Sequence, residues 1–114
     1  MNRIQTLIVG GLAALFVAGA AVSGETVTAE QIEKASTAAD HQTIAAAYDR
    51  KADAALQQAD GHARMALTYR AGTFKGSATA MARHCERLQE SYRSAADEYR
   101  QLAEEHRRLA AEAQ

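Results

Sequence analysis

Small and apolar residues return every seven positions through two long stretches of this chain. In the first, His41, Tyr48, Ala55, His62 and Tyr69 fall seven apart, and Ala45, Ala52, Ala59 and Ala66 stand four residues after the first four of them. In the second, Ala78, Cys85, Tyr92, Tyr99, His106 and Ala113 keep the same step, with Met81, Leu88, Ala95, Leu102 and Leu109 three residues on. A sustained heptad predicts long helices that pack along a seam. The absence of proline and the scarcity of β-branched residues after Thr43 point the same way, so the expected class is all-α.

Local signals place the helix ends. Thr28 and Gln31 have capping-box spacing, with Val27 and Ile32 set for a hydrophobic staple, which predicts a short helix to about Ala35. Thr37 and Asp40 offer a second start, and the second helix is expected from about Ala38 to Arg70. Gly61 interrupts it at a cost of about 1 kcal/mol relative to alanine. The heptad phase is unchanged from Ala55 to His62, so the helix is read through the glycine.

Residues 71–76 form the expected turn, with Gly72 ending one helix in a left-handed conformation and Ser77 capping the next. The third helix is expected from Ala78 to about Ala113. A short turn between two long helices makes an antiparallel hairpin. Folding about Thr73 and Phe74 brings residues whose numbers sum to about 147 to one level. His41 then lies level with His106, Tyr48 with Tyr99, Ala55 with Tyr92, and His62 with Cys85.

The first 23 residues are set apart from this fold. Met1-Asn2-Arg3 is a short positive start, residues 4–22 are mostly apolar or small, and Ala18-Gly19-Ala20 and Ala21-Val22-Ser23 match cleavage signals. The pattern is that of a secretory signal peptide, with a mature chain starting near Ala21 or Gly24. The competing reading is an uncleaved membrane anchor, since the apolar stretch approaches the length that spans a bilayer. The expected organisation is therefore residues 1–23 as signal peptide, 24–37 as a short capped helix and connection, and 38–114 as the hairpin. The expected location is the periplasm or another exported compartment, with membrane association only if the first segment is retained.

Charge adds exclusions. From Gly24 onward there are 12 Lys and Arg against 14 Asp and Glu, mixed in sign, so no basic stripe is offered to nucleic acid. Pairs such as Glu104 with Arg108 and Arg93 with Asp97 read as a solvated outer face. Twenty-three of those 91 residues are alanine, so a lone hairpin buries little apolar area per residue. The expected partner is a second copy, making a four-helix bundle, or another helical envelope protein.

Candidate chemistry gathers near the turn. His62, Met65, Met81, His84 and Cys85 offer imidazole, thioether and thiol within about two helical turns. That donor set suits Cu(I), and its His and Cys members suit Zn(II). Each residue also has an ordinary role: methionines fill gaps in seams, and a lone cysteine packs as a small hydrophobe. Histidines His41 and His106 at the open end, or His62 with Met65 or Met81, raise noncovalent haem, while the lack of Cys-x-x-Cys-His rules out the usual covalent attachment. No paired catalytic carboxylates, Ser-His-Asp arrangement or phosphate loop is legible, so no enzymatic activity is expected. The leading functional reading is an exported interaction or scaffolding hairpin. A soft-metal carrier, a haem binder and a chaperone-like hairpin are the alternatives.

Overall fold

A computed structural model describes residues 26–72 and 76–114, all in helix or short connections. The proposed signal peptide and the apex of the turn at 73–75 lie outside the described residues. Helix α1 spans Ala29–Lys34, α2 spans Ala38–Ala71 and α3 spans Ala78–Glu112. Among the described residues, only α2 and α3 pack extensively on one another, and they do so as an antiparallel hairpin.

Both predicted capping boxes form. The Gln31 backbone N–H donates to Thr28 Oγ1 at 3.2 Å, and the Thr28 N–H donates to Gln31 Oε1 at 2.9 Å. At α2 the Asp40 N–H donates to Thr37 Oγ1 at 3.1 Å, and Asp40 Oδ2 accepts from the Thr37 and Ser36 N–H groups at 2.9 and 3.1 Å. Each box satisfies donors that a helix start leaves open. The backbone is extended at Ala35 and Thr37, which separates α1 from α2. Helix α2 runs unbroken through Gly61, as the unchanged heptad phase implied.

The turn differs from expectation in two details. Gly72 is extended, with φ −76° and ψ 161°, and among the described residues the left-handed one is Gly76 at φ +88°. Gly76 lacks the Cβ that makes this conformation costly elsewhere. Ser77 precedes α3 but makes no side-chain cap.

The seam corrects the sequence reading of α3. Along α2 the inward rows are those anticipated: the heptad row of His41, Tyr48, Ala55, His62 and Tyr69, with the buried alanines four residues on. Along α3 the buried companions are Ala82, Ala96, Ala103 and Ala110, also four residues after the heptad row, with Gln89 completing the series half-buried. Met81, Leu88, Leu102 and Leu109, expected in the seam three residues on, are exposed. The change rotates the buried face of α3 by about 50°. Its cause is steric. Alanine rows facing each other let two backbones approach at the short end of helix packing distances, whereas facing leucines would hold them apart.

The resulting core is thin. Among the described residues it falls into three clusters: Ile44, Ala45, Tyr48 and Ala103; Ala52, Ala55 and Ala96; and Ala66, Ala82 and Cys85. No large side chain among the described residues is fully buried. Val27 and Ala35, flanking α1, pack on the first cluster and so tie the short helix to the open end of the hairpin.

Candidate functional site

Because both long helices use the same two inward rows and run antiparallel, their flanks match. Residues one position after the heptad row share one flank, and residues three positions after it share the other. The first flank is ionic. Arg107 pairs with Asp49, and Arg70 with Glu86, across the hairpin. These pairs are half-exposed and contribute about 0.2–1 kcal/mol each. They fix the lateral register more than the stability. Neither was anticipated, although Asp49, Arg70, Glu86 and Arg107 each follow a heptad-row residue directly. Within α3, Arg108 pairs with Glu105 rather than with the expected Glu104.

The opposite flank is apolar along α3. Met81, Leu88, Leu102 and Leu109 are exposed by 40%, 43%, 42% and 39%, with half-buried Ala95 completing the row. On α2 the corresponding positions are mixed. Ile44 is buried under the residues around α1, Lys51 sits 5.4 Å from the centre of the Tyr99 ring, Gln58 is exposed, and Met65 is exposed.

At the open end the structure makes the expected histidine pair. His41 Nδ1 and His106 Nδ1 stand 3.1 Å apart, with ring centroids at 5.4 Å. One nitrogen must donate and the other accept, so the contact requires an unprotonated Nδ1 on one ring. His106 is only 7% exposed and stacks against Tyr48. Burial, and secondarily the neighbouring His41, hold its imidazole below the ordinary 6.5. Tyr48 in turn stacks on Tyr99 at 6.1 Å, the level pairing read from the turn position.

The five soft-ligand candidates are placed on different surroundings. Cys85 is a free thiol, buried with Ala66 and Ala82. His62 is half-buried and stacks on Tyr92, ring centroids 5.5 Å apart, and its Nδ1 is buried with no hydrogen-bond partner. Its ring partner is thus the residue two turns beyond Cys85, the one matched with Ala55 in the simple level count. Met65 and Met81 are exposed. His84 is exposed, and its Nδ1 accepts from Arg87 Nη2 at 2.8 Å. That bond occupies one ring nitrogen of His84 and puts a cation beside it, which disfavours a metal ion there. Among the described residues, no three His, Cys, Asp or Glu side chains gather as a metal-holding group. The nearest open groove, about 450 Å³, is lined by Gly61, Arg64, Met65, Thr68 and Tyr69.

A second open groove of about 370 Å³ lies on the ionic flank, beside Asp49, Arg107 and Ala110. Its chemistry is that of a hairpin surface, with one ion pair and alanines. Comparison with family models, curated proteins and solved structures returns no match. No described helix is long and apolar enough to cross a membrane.

Proposed function

We propose that this chain is an exported, non-enzymatic interaction or scaffolding hairpin of the cell envelope, and that it works as an assembly. The observation that carries the reading is the leucine row of α3: the hairpin closes mainly over alanines and leaves Met81, Leu88, Leu102 and Leu109 about 40% exposed. Isolated exposed leucines are ordinary, but a row repeating every seven residues along a whole helix is the pattern of a contact surface. The export part of the proposal rests on the signal-like pattern of residues 1–23. A helical envelope protein or a second copy both suit such a row.

One observation favours a second reading. The buried Nδ1 of His62 lacks a partner, and buried polar groups are normally bonded. With the buried Cys85 thiol on the facing helix, His62 is the better-placed half of a soft-metal site for copper or zinc. Met65, Met81 and His84 would have to swing inward to join it.

One preparation separates these readings. The full chain is expressed in a cell with an envelope, the hairpin is purified from the exported fraction, and it is examined by N-terminal sequencing, elemental analysis and absorption spectroscopy. The expected outcome is a chain starting near Ala21 or Gly24 without stoichiometric metal or haem. Intact chain confined to the cytoplasm would remove the envelope assignment. Stoichiometric copper or zinc lost in His62→Ala would transfer the function to the second reading.

A further inference from the structure

The exposed row on α3 has an internal symmetry. Met81, Leu88, Ala95, Leu102 and Leu109 are spaced evenly about Ala95. Laid antiparallel against itself, the row pairs Met81 with Leu109, Leu88 with Leu102, and Ala95 with Ala95. A shift of one heptad either way leaves a large residue at the end without a partner. We propose that two copies of this hairpin dock α3 against α3 in this antiparallel register, with a two-fold axis at Ala95. The proposal rests on the self-association reading above and adds the face, the direction and the register.

Three features of the structure choose a second copy as the occupant. The first is the self-matching spacing, which a two-fold interface requires, since each residue must meet its counterpart reciprocally. The second is charge. Beside the row, on the side away from α2, run His84, Ser91, Glu98 and Glu105, with Arg87 one step further out. The antiparallel register sets His84 and Arg87 of one copy near Glu105 of the other, and Ser91 near Glu98. In a parallel pairing the same positions fall on opposite sides of the seam, so this complementarity between the two copies is lost. The Arg108–Glu105 pair within each helix lies at the rim of this arrangement and remains available to it.

The third feature concerns which helix takes part. On the same flank α2 carries Lys51 and Gln58, and Lys51 lies beside Tyr99, close to the level of the proposed axis. Face-to-face packing of whole hairpins about that axis would bring two Lys51 ammonium groups together. The α3 helices therefore meet on a line between the row of Met81 to Leu109 and the row of His84 to Glu105, which turns the two α2 helices away from each other. The ionic pairs on the other flank, Asp49–Arg107 and Arg70–Glu86, stay in solvent. The contact extends over 29 residues, from Met81 to Leu109, or about 42 Å of helix. With a contact strip about 10 Å wide, it falls at the lower end of interface sizes, so the dimer is expected to dissociate in the micromolar range.

The test uses the hairpin with its N-terminal segment, from Gly24, in a Cys85→Ala background so that one introduced cysteine is unique. Light scattering and sedimentation are run across roughly 1–100 µM, a range that brackets micromolar dissociation. Ala95→Cys is expected to form a disulfide-linked dimer under mild oxidation, because the axis brings the two copies of that position together. Leu88→Cys chains are expected to cross-link with Leu102→Cys chains more readily than with themselves. Leu88→Glu with Leu102→Glu is expected to weaken the dimer roughly a hundredfold or more, since four leucines leave the contact. Helicity should be retained, because both side chains are exposed in the hairpin.

A dimer that resists the double glutamate change, or that does not cross-link through Ala95→Cys, overturns the face or the register while leaving self-association standing. A monomer throughout the range overturns both. A monomer whose binding to phospholipid vesicles is abolished by the glutamate changes assigns the row to a membrane surface and overturns the proposal as well.

Discussion

Burial of an imidazole against another imidazole gives His106 a definite acid–base consequence. The folded hairpin holds His106 below its ordinary 6.5, first by desolvation and then by the charge of His41. Below pH 6.5 the unfolded chain takes up a proton at this position while the folded chain resists it. The contribution of His106 to stability is therefore complete above about pH 6.5. It is lost as pH falls from there towards the depressed folded value, and the loss ends once both states are protonated. Thermal melts are expected to show a lower Tm at pH 5 than at pH 7, and His106→Gln should flatten that slope. The pairing of His41 with His106 was legible from heptad phase and turn position alone. The sharing of one proton between their facing Nδ1 atoms was not, because ring orientation depends on what Tyr48 and the chain end leave room for.

At the scale of the helices, the capping boxes and the passage through Gly61 follow from local chemistry, and the sequence shows them plainly. Thr28 with Gln31, and Thr37 with Asp40, are interactions between residues three apart that need no tertiary partner. Gly61 stays helical because the flanking turns continue the hydrogen-bond ladder, and a Cβ built there meets nothing within 4 Å. Gly61→Ala is accordingly expected to stabilise the hairpin by about 1 kcal/mol. Tm should rise by about 4–8 °C in a scanning melt at fixed protein concentration. A decrease would mean that the open space beside Gly61 is used by a partner. The soft-ligand candidates were legible only as a set of residue types. Sequence spacing put His62, Met65, Met81, His84 and Cys85 near one level, but side-chain direction divides them. His62 lies on Tyr92, Cys85 lies in the alanine cluster, His84 is engaged by Arg87, and the methionines face outward.

At the scale of the whole molecule, the hairpin is held by closeness rather than by bulk. Ala52, Ala59, Ala82, Ala96 and Ala103 have no exposed surface, so the helices meet through methyl groups and backbone. Adding volume there has nowhere to go. Ala103→Leu, opposite Ile44 and Tyr48, is expected to cost about 1–3 kcal/mol, read as a lower midpoint in urea. The same change on the outer row, Ala95→Leu, should leave the urea midpoint of the dilute monomer nearly unchanged. The two substitutions together distinguish the seam found here from the seam that leucine content suggests.

The chain by itself determined the helical class, the places where helices begin, the turn, and the level at which residues of α2 and α3 meet. Those features rest on period, capping and chain connectivity, which act over short distances along the sequence. Only the tertiary structure decided which side of α3 faces inward. Hydrophobicity alone favours the row of Leu88, Leu102 and Leu109, while the alanines at 82, 96, 103 and 110 repeat the offset already used by α2. The alanine row prevails because two antiparallel helices are shared by one seam, and the distance between their backbones is set by what both present to it.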